Sequence, residues 1–165
     1  MADKSVSSSS FGRLLVGFVA GFFATLTFHQ LMLSLLWALG VAPFGPFPTA
    51  ATQPFRVPVV LSLSFWGGIW GILFALIDSR FPRRGGYWVT AFIFGAIFPS
   101  LVALMVVLPI KGRPMGGGWN PALLLTAFLI NGAWGIGTGI FLKAFWNQHS
   151  GRAEPRGRPE EARDH

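Results

Sequence analysis

Residues 57–77 read VPVVLSLSFWGGIWGILFALI, twenty-one positions without an Asp, Glu, Lys or Arg. A bilayer has a hydrocarbon core of ~30 Å, which ~20 apolar helical residues cross at 1.5 Å each. This stretch is therefore long enough to span. Three more charge-free runs lie around it: from Arg13 to Arg56, from Gly85 to Ile110 and from Pro114 to Leu142. The four runs predict an all-α membrane protein with four transmembrane helices, over about 11–39, 58–77, 87–108 and 121–146.

The composition agrees. Of 165 residues, 52% are hydrophobic and 12% charged, where a soluble domain carries about 25% charged residues. One compact bundle, 11–146, accounts for the folded part. The polar Ser-rich segment 1–10 and the charged segment 147–165 are expected to be disordered tails. Lys4 and Arg13 before the first run resemble a signal-peptide n-region. The run then continues to about Gly40, too long for an h-region, so it reads as an uncleaved first span. With no cysteine in the chain, disulfides, thiolate metal sites, Cys nucleophiles and Cys lipidation are excluded.

The net charge of +7 does not indicate nucleic acid, because the basic residues sit at the ends of the runs and form no stripe with interleaved aromatics. Ten of them (Lys4, Arg13, Arg80, Arg83, Arg84, Lys143, Arg152, Arg156, Arg158, Arg163) fall on one side of the alternating topology. Three (Arg56, Lys111, Arg113) fall on the other. That bias predicts both termini inside. Arginine outnumbers lysine ten to three beside many Ala and Gly, the composition of a GC-rich bacterial genome. The expected location is a bacterial inner membrane.

Spans 2 and 4 share an echo. Gly68-Ile69-Trp70-Gly71-Ile72 and Gly132-Ala133-Trp134-Gly135-Ile136 both read G-x-W-G-I, 64 residues apart. Each lies downstream of a Pro/Gly-rich outer connection. The chain therefore reads as two repeated helical hairpins, spans 1–2 and 3–4, a plan known in membrane proteins. Small residues also recur at four-residue steps: Gly17 with Gly21, Gly67 with Gly71, Gly135 with Gly139. Such pairs let helix backbones approach in lipid, either inside one bundle or between copies.

Gly17, Gly21, Thr25 and His29 continue one stripe along an α-helix, which aims His29 into the bundle in its outer half. Asn131 on span 4, Thr126 nearer the outer surface, and Ser62 and Ser64 on span 2 are candidates to meet it. An intramembrane ionisable residue is a functional-site hypothesis by default, so His29 is read as a proton relay, a lining group or a ligand. The plainer alternative is a neutral His acting as interhelical glue. A bis-His haem would need a second copy or a partner, since His149 and His165 lie in or near the tail; no cofactor is expected. Arg56 is read as an anion or headgroup contact near His29, or as an interfacial anchor beside Lys111 and Arg113.

No catalytic constellation is present. The acids are confined to Asp3, Asp78 and the tail, no serine has a G-x-S-x-G setting, and no Gly-rich segment follows a strand. The four spans, with Phe28-His29-Gln30 and Gly67-Gly68-Ile69-Trp70-Gly71, resemble the small four-span integral proteins of bacterial genomes whose role is unassigned. The resemblance implies no activity. The expectation is a non-enzymatic protein that joins a membrane assembly as accessory subunit or homo-oligomer, with the lipid bilayer as its other partner. The rival is a small transporter or channel using His29, Asn131 and Arg56.

Overall fold

In the computed structural model, residues 3–150 are described, with side chains from 11 to 146. Among these residues helix is the only extended regular structure; the connections between helices are irregular, with one isolated bridge between Ala51 and Pro58. Four helices are long and apolar enough to cross a membrane: Phe11–Ala38, Val59–Arg80, Gly85–Ile110 and Pro121–Trp146. These are spans 1 to 4, and their limits fall within three residues of those expected.

Helix α1 begins at Asp3 and runs to Ala24, so the backbone of 3–10 is helical where a disordered tail was expected. Extending a formed helix adds one hydrogen bond per residue fixed, and serine resists this only weakly. Span 4 likewise continues as helix to Ser150. The rest of the expected tail, 151–165, lies outside the described residues.

Two spans are not continuous α-helix. A π-helical turn over Thr25–His29 joins α1 to α2 (Gln30–Ala38). Span 2 holds α3 (Val59–Ile77), and a second π turn, over Ala103–Val107, interrupts span 3 between α4 (Gly85–Val102) and the short α5 (Leu108–Ile110). Pro99 lies inside α4, one turn before the second π turn. Span 4 has a plain start signal: Asn120 Oδ1 accepts from Leu123 N–H at 3.1 Å, and Pro121 fills the first helical position, where no donor is needed.

Packing begins with close approach of backbones. Spans 1 and 2 meet at Gly17 and Gly21 against Gly67 and Gly71. A Cβ added at Gly21 would lie 2.8 Å from Gly71 Cα, and one at Gly71 would lie 2.9 Å from Gly21 Cα. Spans 3 and 4 meet in the same way at Ala91 and Gly95 against Asn131 and Gly135, where a Cβ at Gly95 would lie 2.9 Å from Gly135 Cα. Gly139 faces the Tyr87 ring. Every small residue singled out in the sequence is thus spent inside the chain. In lipid, where burial supplies little association energy, such contact is what holds helices together.

The hairpins then join through spans 1 and 4. Trp134 Nε1 donates to Gly21 O at 2.9 Å, and Phe28 lies against Gly137. Spans 2 and 3 meet through rings instead: Phe74 packs edge-on against Phe94 at 5.5 Å and against Phe81 at 5.2 Å. The main core therefore sits toward the Arg13 end, around Ala20, Ala24, Phe74, Ala75, Ala91, Phe94 and Trp134. A smaller one, Leu33, Leu36, Ala42 and Ile130, sits under the long connection at the other end.

Candidate functional site

The polar residues of the spans form two groups rather than one. The first is on span 1. His29 is buried and Gln30 wholly so. Gln30 Oε1 accepts from Phe47 N–H at 2.7 Å, which fixes the orientation of the amide. Its Nε2 must then point to His29 Nδ1, 3.3 Å away, and can only donate. An imidazole nitrogen that accepts from this amide carries no proton, which assigns His29 the Nε2–H tautomer in this arrangement.

Gln30 therefore anchors the connection that follows span 1. Phe47 belongs to the loop 41–57, which folds back between the ends of spans 1 and 2. Val60 N–H donates to Pro48 O and Val59 N–H to Ala50 O, both at 2.9 Å, and Arg56 N–H donates to Thr52 O at 2.7 Å. Thr52 Oγ1 donates to Val57 O. Gln30 lies nine residues below Ala38's successor Leu39 in the helix, about 13 Å along the axis at 1.5 Å per residue. The loop thus reaches back beside α2, where its Phe47 N–H is satisfied by the Gln30 side chain.

The second group links spans 3 and 4. Asn131 Nδ2 donates to Ser100 Oγ at 3.0 Å, and Ser100 Oγ donates to Ala127 O at 3.0 Å. Asn131 therefore turns toward span 3 and not toward His29. On span 2 the wholly buried serine is Ser64, whose hydroxyl donates back to Val60 O at 2.8 Å; Ser62 is half-buried. Thr126 is wholly buried and its hydroxyl has no hydrogen-bond partner. The expected meeting of His29, Ser62, Thr126 and Asn131 in one hydrogen-bonded site is not what the structure has. It has a His29–Gln30–Phe47 string and an Asn131–Ser100–Ala127 string.

The reason lies in the π turn. A continuous α-helix carries the stripe Gly17, Gly21, Thr25 on to His29. A π turn pairs i with i+5, so the place one turn beyond Thr25 belongs to Gln30. The residue that sequence reasoning missed is the neighbour of the one it chose.

The basic residues at the loop end, Arg56, Lys111 and Arg113, are all exposed. Arg56 sits at a tip with φ of 54°, next to Phe55, which is 85% exposed. The second connection at this end holds a run of left-handed glycines, Gly116, Gly117 and Gly118, with φ of 62°, 64° and 67°. Side chains rarely take that conformation, and glycine takes it freely.

At the opposite end Arg13 makes contacts the sequence did not announce. Its Nε donates to Ala75 O at 2.7 Å and its guanidinium pairs with Asp78 at 2.8 Å. Lys143 places its Nζ 3.4 Å from the centroid of the Tyr87 ring and 4.7 Å from that of Trp88. Each hairpin is thus closed at its base by one cation, by an ion pair in the first and by aromatic faces in the second.

Comparison with known protein families, with curated proteins and with solved structures finds no match.

Proposed function

We propose that this chain is a non-enzymatic integral membrane protein that joins a membrane assembly through its loop end. The observation that carries the proposal is the build of that end. Its first connection spends 20 residues, 39–58, where helix–helix connections commonly need 2–8, and it is held by the buried Gln30 side chain. A mere tether needs no such anchor. The surface it presents is free of acids and carries exposed Trp37, Phe44, Phe47, Phe55 and Trp119 beside Arg56, Lys111 and Arg113. Aromatics and arginine are the residues that dominate binding surfaces.

The same reading takes the membrane to be a bacterial inner membrane and the termini to be inside. Its support is the ten-to-three distribution of Lys and Arg between the two ends, in accord with the positive-inside rule. It also takes the hairpins to be duplicates. Gly17-Phe18 and Gly21 of span 1 correspond to Ala91-Phe92 and Gly95 of span 3, 74 residues on. Phe18 lies against Gly68 as Phe92 lies against Gly132, and both odd-numbered spans contain a π turn. Because the glycine faces are occupied within the chain, assembly draws on the loop end and not on those faces.

Purification of the full chain in a mild detergent, with mass spectrometry and an absorbance scan, tests the proposal. A co-purifying subunit or a defined homo-oligomer that dissociates on Phe55→Ser with Arg56→Ser is the expected result. A stable, partner-free monomer would overturn it. Thr126, buried with an unpartnered hydroxyl, favours a second reading as a small transporter or channel. That reading requires ion flux in liposomes that His29→Ala or Thr126→Val abolishes; unchanged flux sinks it.

A further inference from the structure

At the Arg13 end, spans 1, 2 and 4 border an open cleft of about 240 Å³, lined by Arg13, Asp78, Ser79, Leu142, Lys143 and Trp146. That is smaller than the ~300–1,000 Å³ of pockets that enclose a drug-sized ligand. It suits a headgroup-sized guest.

The hydrogen-bonding chemistry of the cleft is unbalanced. Asp78 is its one carboxylate, and that carboxylate is already paired with Arg13. Lys143 brings a second positive charge, and among the described residues no carboxylate stands within ion-pair distance of it. Its ammonium is held instead over the Tyr87 and Trp88 rings, which attract a cation but accept none of its directed N–H bonds as an oxygen would. The Ser79 hydroxyl adds another donor. The hydroxyl of Tyr87, the ring that Lys143 covers, is buried and has no hydrogen-bond partner among the described residues. Positive charge thus exceeds negative in the cleft, two cations against one carboxylate.

The lining is also amphipathic. Arg13, Ser79 and Lys143 supply the polar side, Leu142 and Trp146 the apolar side. The cleft sits where hydrophobic helix gives way to charged ends, the level at which phospholipid phosphates lie.

We propose that this cleft binds a phosphate-bearing anion, seated between Arg13 and Lys143 with Ser79 as a third donor. An anionic phospholipid headgroup and free phosphate share that chemistry, and basic pockets between helices are a known way of holding such headgroups. The site is independent of the assembly reading, since it lies at the other end of the molecule.

The experiment uses the full chain in a non-ionic detergent. Mixed micelles containing equal phosphatidylglycerol and phosphatidylcholine are presented, and retained lipid is counted by native mass spectrometry. Wild-type protein is expected to retain phosphatidylglycerol preferentially. Lys143→Gln should weaken that retention about tenfold, the weight of one charge-assisted hydrogen bond. Lys143→Arg should restore most of it. Arg83→Gln, which removes a charge from the exposed turn outside the cleft, should change it less than about twofold. Should Lys143→Gln fail to fold, the paired change Arg13→Gln with Asp78→Asn removes the other cation without leaving a lone acid, and it too should weaken retention. Equal losses in Lys143→Gln and Arg83→Gln would overturn the proposal, because they would mean a diffuse positive field and no site. Absence of any preference in wild type would overturn it as well. A further arm adds inorganic phosphate. Displacement of the lipid, with the same dependence on Lys143, would identify free phosphate as the guest; no displacement would identify the lipid.

Discussion

In the hairpin of spans 1 and 2 the seam is bare glycine on both sides, Gly17 and Gly21 against Gly67 and Gly71. At the matching levels of spans 3 and 4 it is Ala91 and Gly95 against Asn131 and Gly135. The second seam therefore carries a side-chain amide, and Asn131 uses it to bond Ser100 of the facing helix. The first seam has no such bond, and its buried amide, Gln30, sits beyond the glycines and reaches for the loop. Two seams of one geometry thus commit their polar groups differently. In one the amide ties helix to helix, in the other helix to connection. Close backbone packing is common to both and independent of that choice.

The largest expected effect tests what the seams share. Gly71→Ala and Gly135→Ala each drive a methyl group into facing backbone, which cannot rotate away. Each should cost about 1–3 kcal/mol, the usual penalty for overpacking, seen as a lower midpoint of thermal unfolding in detergent. Gly12→Ala is the comparator, since nothing lies within 4 Å of its added methyl, and it should not destabilise. Tolerance of one seam substitution but not the other would break the equivalence of the hairpins.

Next comes the division of labour between the amides. Gln30→Leu leaves the Phe47 N–H without its acceptor, a loss of about 1–3 kcal/mol. Faster hydrogen exchange should follow in the loop around Phe47 and spare span 3. Asn131→Ala should cost about 0.6–1.7 kcal/mol, the range of single interhelical bonds in membranes, with exchange altered around Ser100 and unchanged in the loop. Exchange rising in both places in either variant would show the two polar groups to be coupled.

The smallest effect is expected at Thr126. Its hydroxyl has no partner, so Thr126→Val removes no hydrogen bond and keeps the shape. The unfolding midpoint should stay constant or rise slightly. A clear destabilisation would mean that the hydroxyl is bound in the folded protein.

How much of this was legible follows from the range over which each signal acts. The spans were legible because length and absence of charge are properties of a contiguous segment. The end of span 1, placed at 39 and found at Ala38, shows how closely such a signal reads. The glycine faces were legible because four-residue spacing survives in an α-helix. His29 was chosen on the same arithmetic and is buried as expected, but that arithmetic assumes 3.6 residues per turn, and the helix loosens at Thr25–His29 so that Gln30 is buried beside it. Burial of His29 was foreseen; the role of Gln30 was not. The Arg13–Asp78 pair joins residues 65 apart, and only the crossing of spans 1 and 2 brings them together. Asn131 was placed on the correct stripe, but the stripe alone did not say which neighbour it would face.

The π turn in span 1 has a consequence for how the gene can vary. It is one residue more than an α-helical turn requires. A message short of a single codon between positions 25 and 29 would encode an unbroken α-helix, with everything after the gap turned by about 100° around the axis. The glycine seam, already past, would be untouched. Gln30 would swing away from Phe47, and the loop would lose its hold. A deletion of one codon here spares the four spans and unfastens the connection that Gln30 holds.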